Sequence, residues 1–219
     1  PERLTMCLEA IANQVYPHYE VIISDDGTVP IPEDCTAFPS LPYRATFQTR
    51  PHDALDGVPV RNIPAVANQA IPLVNGDIIQ FLQQDHIIQP DFGLWLARCF
   101  SEEMIMFGLL DRRADITEPD LDAMVRNLHL PEAQTRYEFL LNQGRRTLVE
   151  FDDWRLTDGF DFAIARSKWE DMDTRFVGPS HAILDAMLTY RLHGLHFVLN
   201  PSMRLWHWEH PSREPANLE

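Results

Sequence analysis

The sequence predicts an α/β fold in which a mainly parallel sheet has helices on both faces. Two observations support this prediction. Short β-rich runs alternate along the chain with segments of helical period. Acidic or imidazole side chains also follow several of these runs directly. Because ligands of such sheets bind beyond the carboxyl ends of the strands, those side chains are the first candidates for a functional site.

The composition limits the class of protein. A chain of 219 residues is long enough for one large domain with a sizeable core. Its net charge of −15 disfavours nucleic acid or an anionic membrane as partner, and no apolar run reaches the roughly 20 residues of a transmembrane helix. Cys7, Cys35 and Cys99 show neither disulfide nor zinc spacing, which favours a reducing, cytoplasmic location.

The first half of the chain alternates between helical and β-rich patterns. Leu4, Leu8 and Ile11 have helical spacing, and a β-rich run from Glu20 to Ile23 then stops on acids and a glycine. Residues 29–43 are rich in proline and are predicted to be a loop. The same rules predict a strand at 44–49, a helix from about Asn62 to Val74, a strand at 77–82, a helix at 92–100 and a strand at 104–110.

The second half begins with a charged stretch, 111–153, which is predicted to be a helical insertion or subdomain without a strong strand. The pattern then predicts a strand at 160–165, a helix at 181–193, a strand at 196–199 and a further run at 204–210. We therefore expect a single domain over residues 1–210 and a polar tail at 211–219.

Three of the runs end on side chains that could meet at one crevice. Asp25 and Asp26 follow "EVIIS", Asp85 follows "DIIQFLQQ", and His207 stands at the end of "MRLW". A carboxylate and an imidazole together suit a divalent cation such as Mn²⁺. Each acid taken alone is better explained as a turn residue, and only their occurrence in this order and context favours a site.

The order of these motifs resembles that of the family-2 glycosyltransferases, which have the Rossmann-like GT-A fold. The resemblance runs from the first residue to about His210 and is weakest over 111–153. It rests on four segments: "RLTMCLEAIANQVYPHYEVIISDDGT", "ANQAIPLVNGDIIQFLQQDHIIQPD", "DGFDFAIARSKWEDMDTRFVG" and "LDAMLTYRL". The family has a strand before its first helix, and this sequence begins just after the position of that strand. The family's metal motif reads Gln83-Gln84-Asp85 here, and its Glu-Asp pair reads Leu184-Asp185.

The resemblance implies an inverting, metal-assisted transfer of a sugar from a nucleotide-diphosphate donor to an acceptor hydroxyl. The donor would be a UDP-sugar of hexosyl or N-acetylhexosaminyl type, the cofactor Mn²⁺ or Mg²⁺, and the acceptor a glycan, a lipid-linked molecule or another hydroxyl compound. It also implies roles for individual residues. Asp85 and His207 would bind the metal, and Asp185 would be the general base. The nucleotide would contact Asp25, Asp26, Arg61 and Gln84, and the sugar and acceptor pocket would include Gly159, Phe160 and Trp208.

Two other functions remain open from the sequence. The replaced acids at Gln83, Gln84 and Leu184 also fit a degenerate domain that binds a sugar nucleotide without turnover. A sugar-phosphate nucleotidyltransferase uses a related sheet, but it needs a glycine-rich, basic phosphate loop, and none is visible in the sequence.

Overall fold

The computed structural model describes residues 2–25, 44–49, 53–55, 58–60, 62–113, 148–150, 161–176 and 179–208. Its helices are α1 (Glu2–Ala12), α2 (Ile63–Ala70), α3 (Phe92–Cys99) and α4 (Pro179–Leu192), with 3₁₀ turns at Ile71–Leu73 and Arg166–Lys168. Its strands are β1 (Glu20–Asp25), β2 (Arg44–Thr49), β3 (Asp53–Leu55), β4 (Val58–Val60), β5 (Ile78–Gln80), β6 (His86–Ile88), β7 (Met104–Arg113), β8 (Val149–Glu150), β9 (Phe162–Ala165) and β10 (His196–Trp208).

The main sheet has six strands in the order β5-β9-β7-β10-β6, with β8 also paired to β10. The α/β prediction is confirmed, but the sheet is mixed and not purely parallel. Strands β7 and β10 run parallel, whereas β9 is antiparallel to both of its neighbours and β6 is antiparallel to β10. Strands β1 and β2 form a separate parallel pair, and β3 and β4 an antiparallel one.

Helices cover both faces of the main sheet, as predicted. One apolar cluster joins α1 and α3 to the face that carries Met106 and Ala163. The other joins α2 and α4 to the opposite face, which carries Phe107 and Phe162. Met106 and Phe107 are consecutive residues of β7, and side chains alternate between the faces of a strand, so the two clusters lie on opposite sides of one sheet.

Local sequence signals set the ends of two helices. The Asn62 side chain accepts a hydrogen bond from the Ala65 N–H (3.0 Å), and this cap begins α2. Gly194, at a φ of 83°, follows α4 and directs the chain into β10, in a conformation that glycine adopts without a steric penalty.

Strand β10 differs from its prediction. The run predicted at 196–199 and the described part of the run predicted at 204–210 lie in one strand that ends at Trp208. Its pairing with β7 jumps from Asn200↔Gly108 to Arg204↔Leu109. The three residues between Asn200 and Arg204 form a β-bulge. Gly108 lies opposite the bulge, where an added Cβ would stand 2.6 Å from Cδ2 of Leu205 and 2.9 Å from the Met203 carbonyl oxygen. The bulge therefore depends on a residue without a side chain.

Some predictions concern residues that the structure describes only in part. Within 111–153 it describes the end of β7 and the short strand β8 beside β10, while 114–147 lie outside the described residues, as does the 211–219 tail. Two of the cysteines, Cys7 and Cys99, are free thiols, and Cys35 lies outside the described residues. In the described part of the chain, none of the helices has the length and hydropathy that crossing a membrane requires.

Candidate metal centre

Strand pairing brings together three side chains that can ligate a metal. Strand β6 lies at one edge of the main sheet, antiparallel to β10, and its register sets His86 directly opposite His207. Directly opposed residues of antiparallel strands project their side chains from the same face. Asp85 immediately precedes β6, and its carbonyl oxygen accepts a hydrogen bond from the Trp208 N–H (3.0 Å). The backbone thus fixes all three residues at one sheet edge.

The side chains of this cluster, Asp85, His86 and His207, lie close to one another. Asp85 Oδ2 is 3.5 Å from His207 Nε2, and the two imidazole rings stand edge to face with centroids 5.3 Å apart. One potential ligand atom from each residue falls within 4.8 Å of the other two. Ligand atoms at such distances can share one cation after small side-chain adjustments.

The carboxyl group of Asp85 is buried yet ionised. Burial alone would raise its pKa, but the hydrogen bond to His207 and the charges of both imidazoles outweigh burial and lower the pKa below its usual value. At neutral pH the cluster therefore presents a carboxylate, which is the form that binds metal.

Cys7 of α1 supports the turn that carries Asp85. Its Sγ donates to the Gln83 carbonyl oxygen at 3.7 Å. Burial, with a further contribution from the Asp85 charge, raises the pKa of the Cys7 thiol to about 12. Because a thiolate is the form that ligates metal, Cys7 acts here as a neutral hydrogen-bond donor.

Loading a cation would change one contact of His86. The Gln83 N–H donates to His86 Nδ1 over 3.4 Å, a long hydrogen bond. A cation on Nδ1 would take the same lone pair, and a cation on Nε2 would require the ring proton to sit on Nδ1. Either arrangement releases the Gln83 N–H from this bond.

The donor set indicates which cations fit. Mg²⁺ prefers oxygen ligands in an octahedral arrangement, whereas imidazole nitrogen suits later divalent ions and Mn²⁺ accepts both kinds. Two imidazoles and one carboxylate therefore fit Mn²⁺ better than Mg²⁺.

The other predicted site residues lie in several places. Asp25 ends β1, Gln84 is exposed in the turn before Asp85, and Asp185 is half-buried on α4, outside the metal cluster. The hydrogen bond to Asp173 is the main cause of the raised pKa of Arg175, and the charge of Asp185 makes a smaller contribution. Asp26, Arg61, Gly159 and Phe160 lie outside the described residues. The roles predicted for all of these residues stay predictions.

Sequence reasoning did not identify His86 as a ligand. Strand β6 is only three residues long, and the sequence pattern predicted no strand between the runs at 77–82 and 92–100. The available signal was the pair of segments "DHII" and "LWHW", which align antiparallel so that their histidines face each other.

The fold is the GT-A fold of nucleotide-sugar glycosyltransferases, as comparison with solved structures shows. The first 349 residues of S. aureus TarS, crystallised with UDP, superpose with a TM-score of 0.62 at 12% identity. The match covers 95% of this chain and 57% of TarS 1–349, so the chain spans little more than half of that structure. The same TarS segment with UDP-GlcNAc gives a TM-score of 0.61 at 13% identity and covers 96% of this chain and 56% of the other.

A third structure, GalNAc-T7 with UDP, GalNAc and Mn²⁺, gives a TM-score of 0.58 at 10% identity and covers 88% of this chain and 38% of its own. No protein-family model and no curated protein sequence matches the chain. At these identities the comparisons establish the fold alone.

Proposed function

We propose that the protein is an inverting glycosyltransferase that moves a hexosyl or N-acetylhexosaminyl group from a UDP-sugar to an acceptor hydroxyl. The GT-A fold supports the donor class, since TarS was solved with UDP and UDP-GlcNAc and GalNAc-T7 with UDP and Mn²⁺. The proposal includes a single domain over residues 1–210 that works in the cytosol, where the free thiols Cys7 and Cys99 stay reduced.

The Asp85–His86–His207 cluster carries the proposal. These residues would hold a Mn²⁺ ion, which offsets the charge of the departing nucleoside diphosphate when bound. The donor set supports this role, because one carboxylate and two imidazoles are ligand kinds that Mn²⁺ accepts.

The remaining predicted residues supply binding and proton transfer. Asp26 would accept the N3–H of the uracil ring, with Asp25 beside it, and Arg61 and Gln84 would contact phosphate and ribose. Asp185 would take the proton of the acceptor hydroxyl as the new glycosidic bond forms, which requires a carboxylate within about 3 Å of that hydroxyl. The acceptor would lie near Gly159, Phe160 and Trp208, a placement that rests on the sequence resemblance.

The substitution Asp185→Asn tests the proposed reaction. It keeps the size of the side chain and removes the proton-accepting charge, so we expect transfer to fall about 10²–10⁴-fold while the affinity for UDP is retained. Asp77→Asn, at an exposed position before β5, is the matched control and should keep wild-type activity. Release of UDP from a panel of UDP-sugars, with and without candidate acceptors, measures turnover.

The same assay separates the proposal from a second candidate, a domain that binds a sugar nucleotide without turnover. Gln83, Gln84 and Leu184 favour that candidate because they stand where the resemblance places acids. UDP binding without turnover on any donor would support the non-catalytic domain. Turnover that persists in Asp185→Asn would instead remove Asp185 from the mechanism.

A further inference from the structure

The segment that follows β9 runs along helix α4. Near the end of the helix, the Tyr190 hydroxyl donates to the Glu170 carbonyl oxygen at 3.3 Å. Further along the segment, Met172 belongs to the apolar cluster that contains Ile183 of the helix. Later residues of the segment therefore meet earlier residues of α4, and the segment extends toward the part of the helix that carries Asp185.

Two asparagines, one capping α2 and one within it, hold the same segment. The Asn68 side chain donates to the Met172 carbonyl oxygen (2.8 Å) and accepts from the Met172 N–H (2.9 Å). Asn62, which is buried, donates to the Thr174 carbonyl oxygen (3.0 Å). These three hydrogen bonds fix the backbone up to the residue before Arg175.

Asp173 then orients the side chain of Arg175. Its carboxylate accepts from the Arg175 backbone N–H and from Nε, both at 2.9 Å, and also from Nη2. The hydrogen bond to Asp173 is the main reason that the pKa of Arg175 is raised, and the charge of Asp185 adds to the rise. Asp185 therefore lies within electrostatic reach of a guanidinium whose orientation is fixed.

The contact with Asp173 occupies one edge of the Arg175 guanidinium, the edge formed by Nε and Nη2. A second edge, formed by Nη1 and Nη2, carries further N–H donors in the same plane. Because 88% of the Arg175 side chain is exposed, a ligand can approach this second edge. Two oxygen atoms of one ligand can bind there in bidentate fashion.

We propose that Arg175 binds the acceptor through two neighbouring hydroxyl groups of an uncharged sugar, an inference that rests on the proposed function. The two hydroxyl oxygens would accept from Nη1 and Nη2, while another hydroxyl of the acceptor gives its proton to Asp185 as the glycosidic bond forms. An uncharged acceptor fits the surroundings, because two carboxylates, Asp173 and Asp185, act on this one guanidinium. A phosphate or carboxylate on the acceptor would be repelled by both, in a chain of net charge −15.

The rate of UDP release from a UDP-sugar, measured over a range of acceptor concentrations, tests this inference. The neutral acceptors are the methyl glycosides of glucose, galactose and N-acetylglucosamine, and the charged ones are glucose 6-phosphate and the methyl glycoside of glucuronic acid. We expect the neutral acceptors to raise the rate and the charged ones to leave it unchanged. In Arg175→Gln, the KM for the neutral acceptors should rise about tenfold, the usual effect of losing hydrogen bonds to a charged group.

The effect should fall on KM, because hydrogen bonds to hydroxyl groups that do not react form equally in the ground state and the transition state. The affinity for UDP should stay at the wild-type value. Arg175→Lys keeps the charge but loses the planar edge, so it should resemble Arg175→Gln. Arg98→Gln is the matched control, because Arg98 is an exposed arginine of α3, on the opposite face of the main sheet.

An unchanged KM in Arg175→Gln, or a stronger response to the charged acceptors than to the neutral ones, would overturn the inference and leave the proposed function standing. UDP release that none of these acceptors accelerates would do the same. A fall in kcat with no change in KM would also overturn the inference, by showing that Arg175 only shapes the surroundings of Asp185. If wild type releases UDP from no UDP-sugar, with or without acceptor, the proposed function and the inference fail together.

Discussion

His86 contributes an imidazole to the metal cluster because β6 sets it opposite His207. The residue is fully buried, and a buried imidazole needs polar partners to offset the cost of leaving water. The side chains of Asp85 and His207, the other two potential ligands, lie close to the His86 imidazole. The three residues therefore form one polar cluster in which a buried imidazole can be accommodated.

Replacing His86 with alanine should reduce Mn²⁺ affinity at least about tenfold, because even the loss of an outer-shell partner commonly costs that much. Titration with Mn²⁺, followed by calorimetry or by the electron paramagnetic resonance of the free ion, measures the change. His18→Ala removes an exposed histidine from the segment between α1 and β1 and should leave the affinity unchanged.

A folded His86→Ala protein with wild-type Mn²⁺ affinity would show that His86 is not a ligand. Circular dichroism in EDTA establishes that the variant is folded before it is titrated.

At the scale of single residues, the sequence predicted two of the three residues of the metal cluster as candidate ligands. Asp85 and His207 stand at the ends of apolar runs. Ligands of α/β sheets bind beyond the carboxyl ends of the strands, so these positions were candidates from the sequence. His86 could not be predicted in the same way, because its role depends on the register between β6 and a strand far along the chain. Register is a tertiary property, and a strand of three residues carries no periodicity of its own.

The bulge in β10 is the feature at the scale of elements that sets this register. Three residues beginning at Pro201 separate the two halves of the strand, and proline is tolerated there because a bulged residue needs no ladder hydrogen bond. Only after the bulge does β10 pair with β6 through Leu205, Trp206 and His207. The sequence predicted two strands in place of one because Pro201 and Ser202 interrupt the β-rich pattern.

Gly108→Ala should destabilise the fold by about 1–3 kcal/mol, the usual cost of overpacking a core. The new methyl group would meet Leu205, and it would also meet the Met203 carbonyl oxygen in the bulge, which cannot move as a side chain does. Urea unfolding measures the loss.

Gly76→Ala is the matched control for this change. Its added Cβ would come no closer than 3.7 Å to the Ile78 carbonyl oxygen, so its unfolding free energy should stay near that of wild type. Equal stability of the two alanine variants would show that the bulge relaxes around the added methyl group.

At the scale of the whole molecule, the charge of −15 opposes binding of an anion unless local positive charge offsets it. A cation bound at the cluster would supply such charge at one edge of the sheet. The α/β class and the helices on both faces followed from alternating periodicity alone. The mixed strand directions did not, because periodicity does not specify which strands become neighbours.

UDP should therefore stabilise the protein more in Mn²⁺ than in EDTA. A ligand at 100 times its dissociation constant adds about 2.7 kcal/mol to the free energy of unfolding, and thermal unfolding monitored by fluorescence detects that change. The increment due to Mn²⁺ should disappear in His207→Ala. Superimposable melting curves in Mn²⁺ and EDTA would contradict a metal-assisted site.

The pairing of β6 with β10 also sets when the candidate cation site comes into existence. Asp85 and His86 leave the ribosome well before His207, which follows only after most of the described residues have been made. Local segments fold as they emerge, but a pairing between distant segments has to wait for the later one. Nascent chains that have not yet reached His207 consequently lack a complete ligand set, so a growing polypeptide cannot acquire its cation before the main sheet is nearly complete.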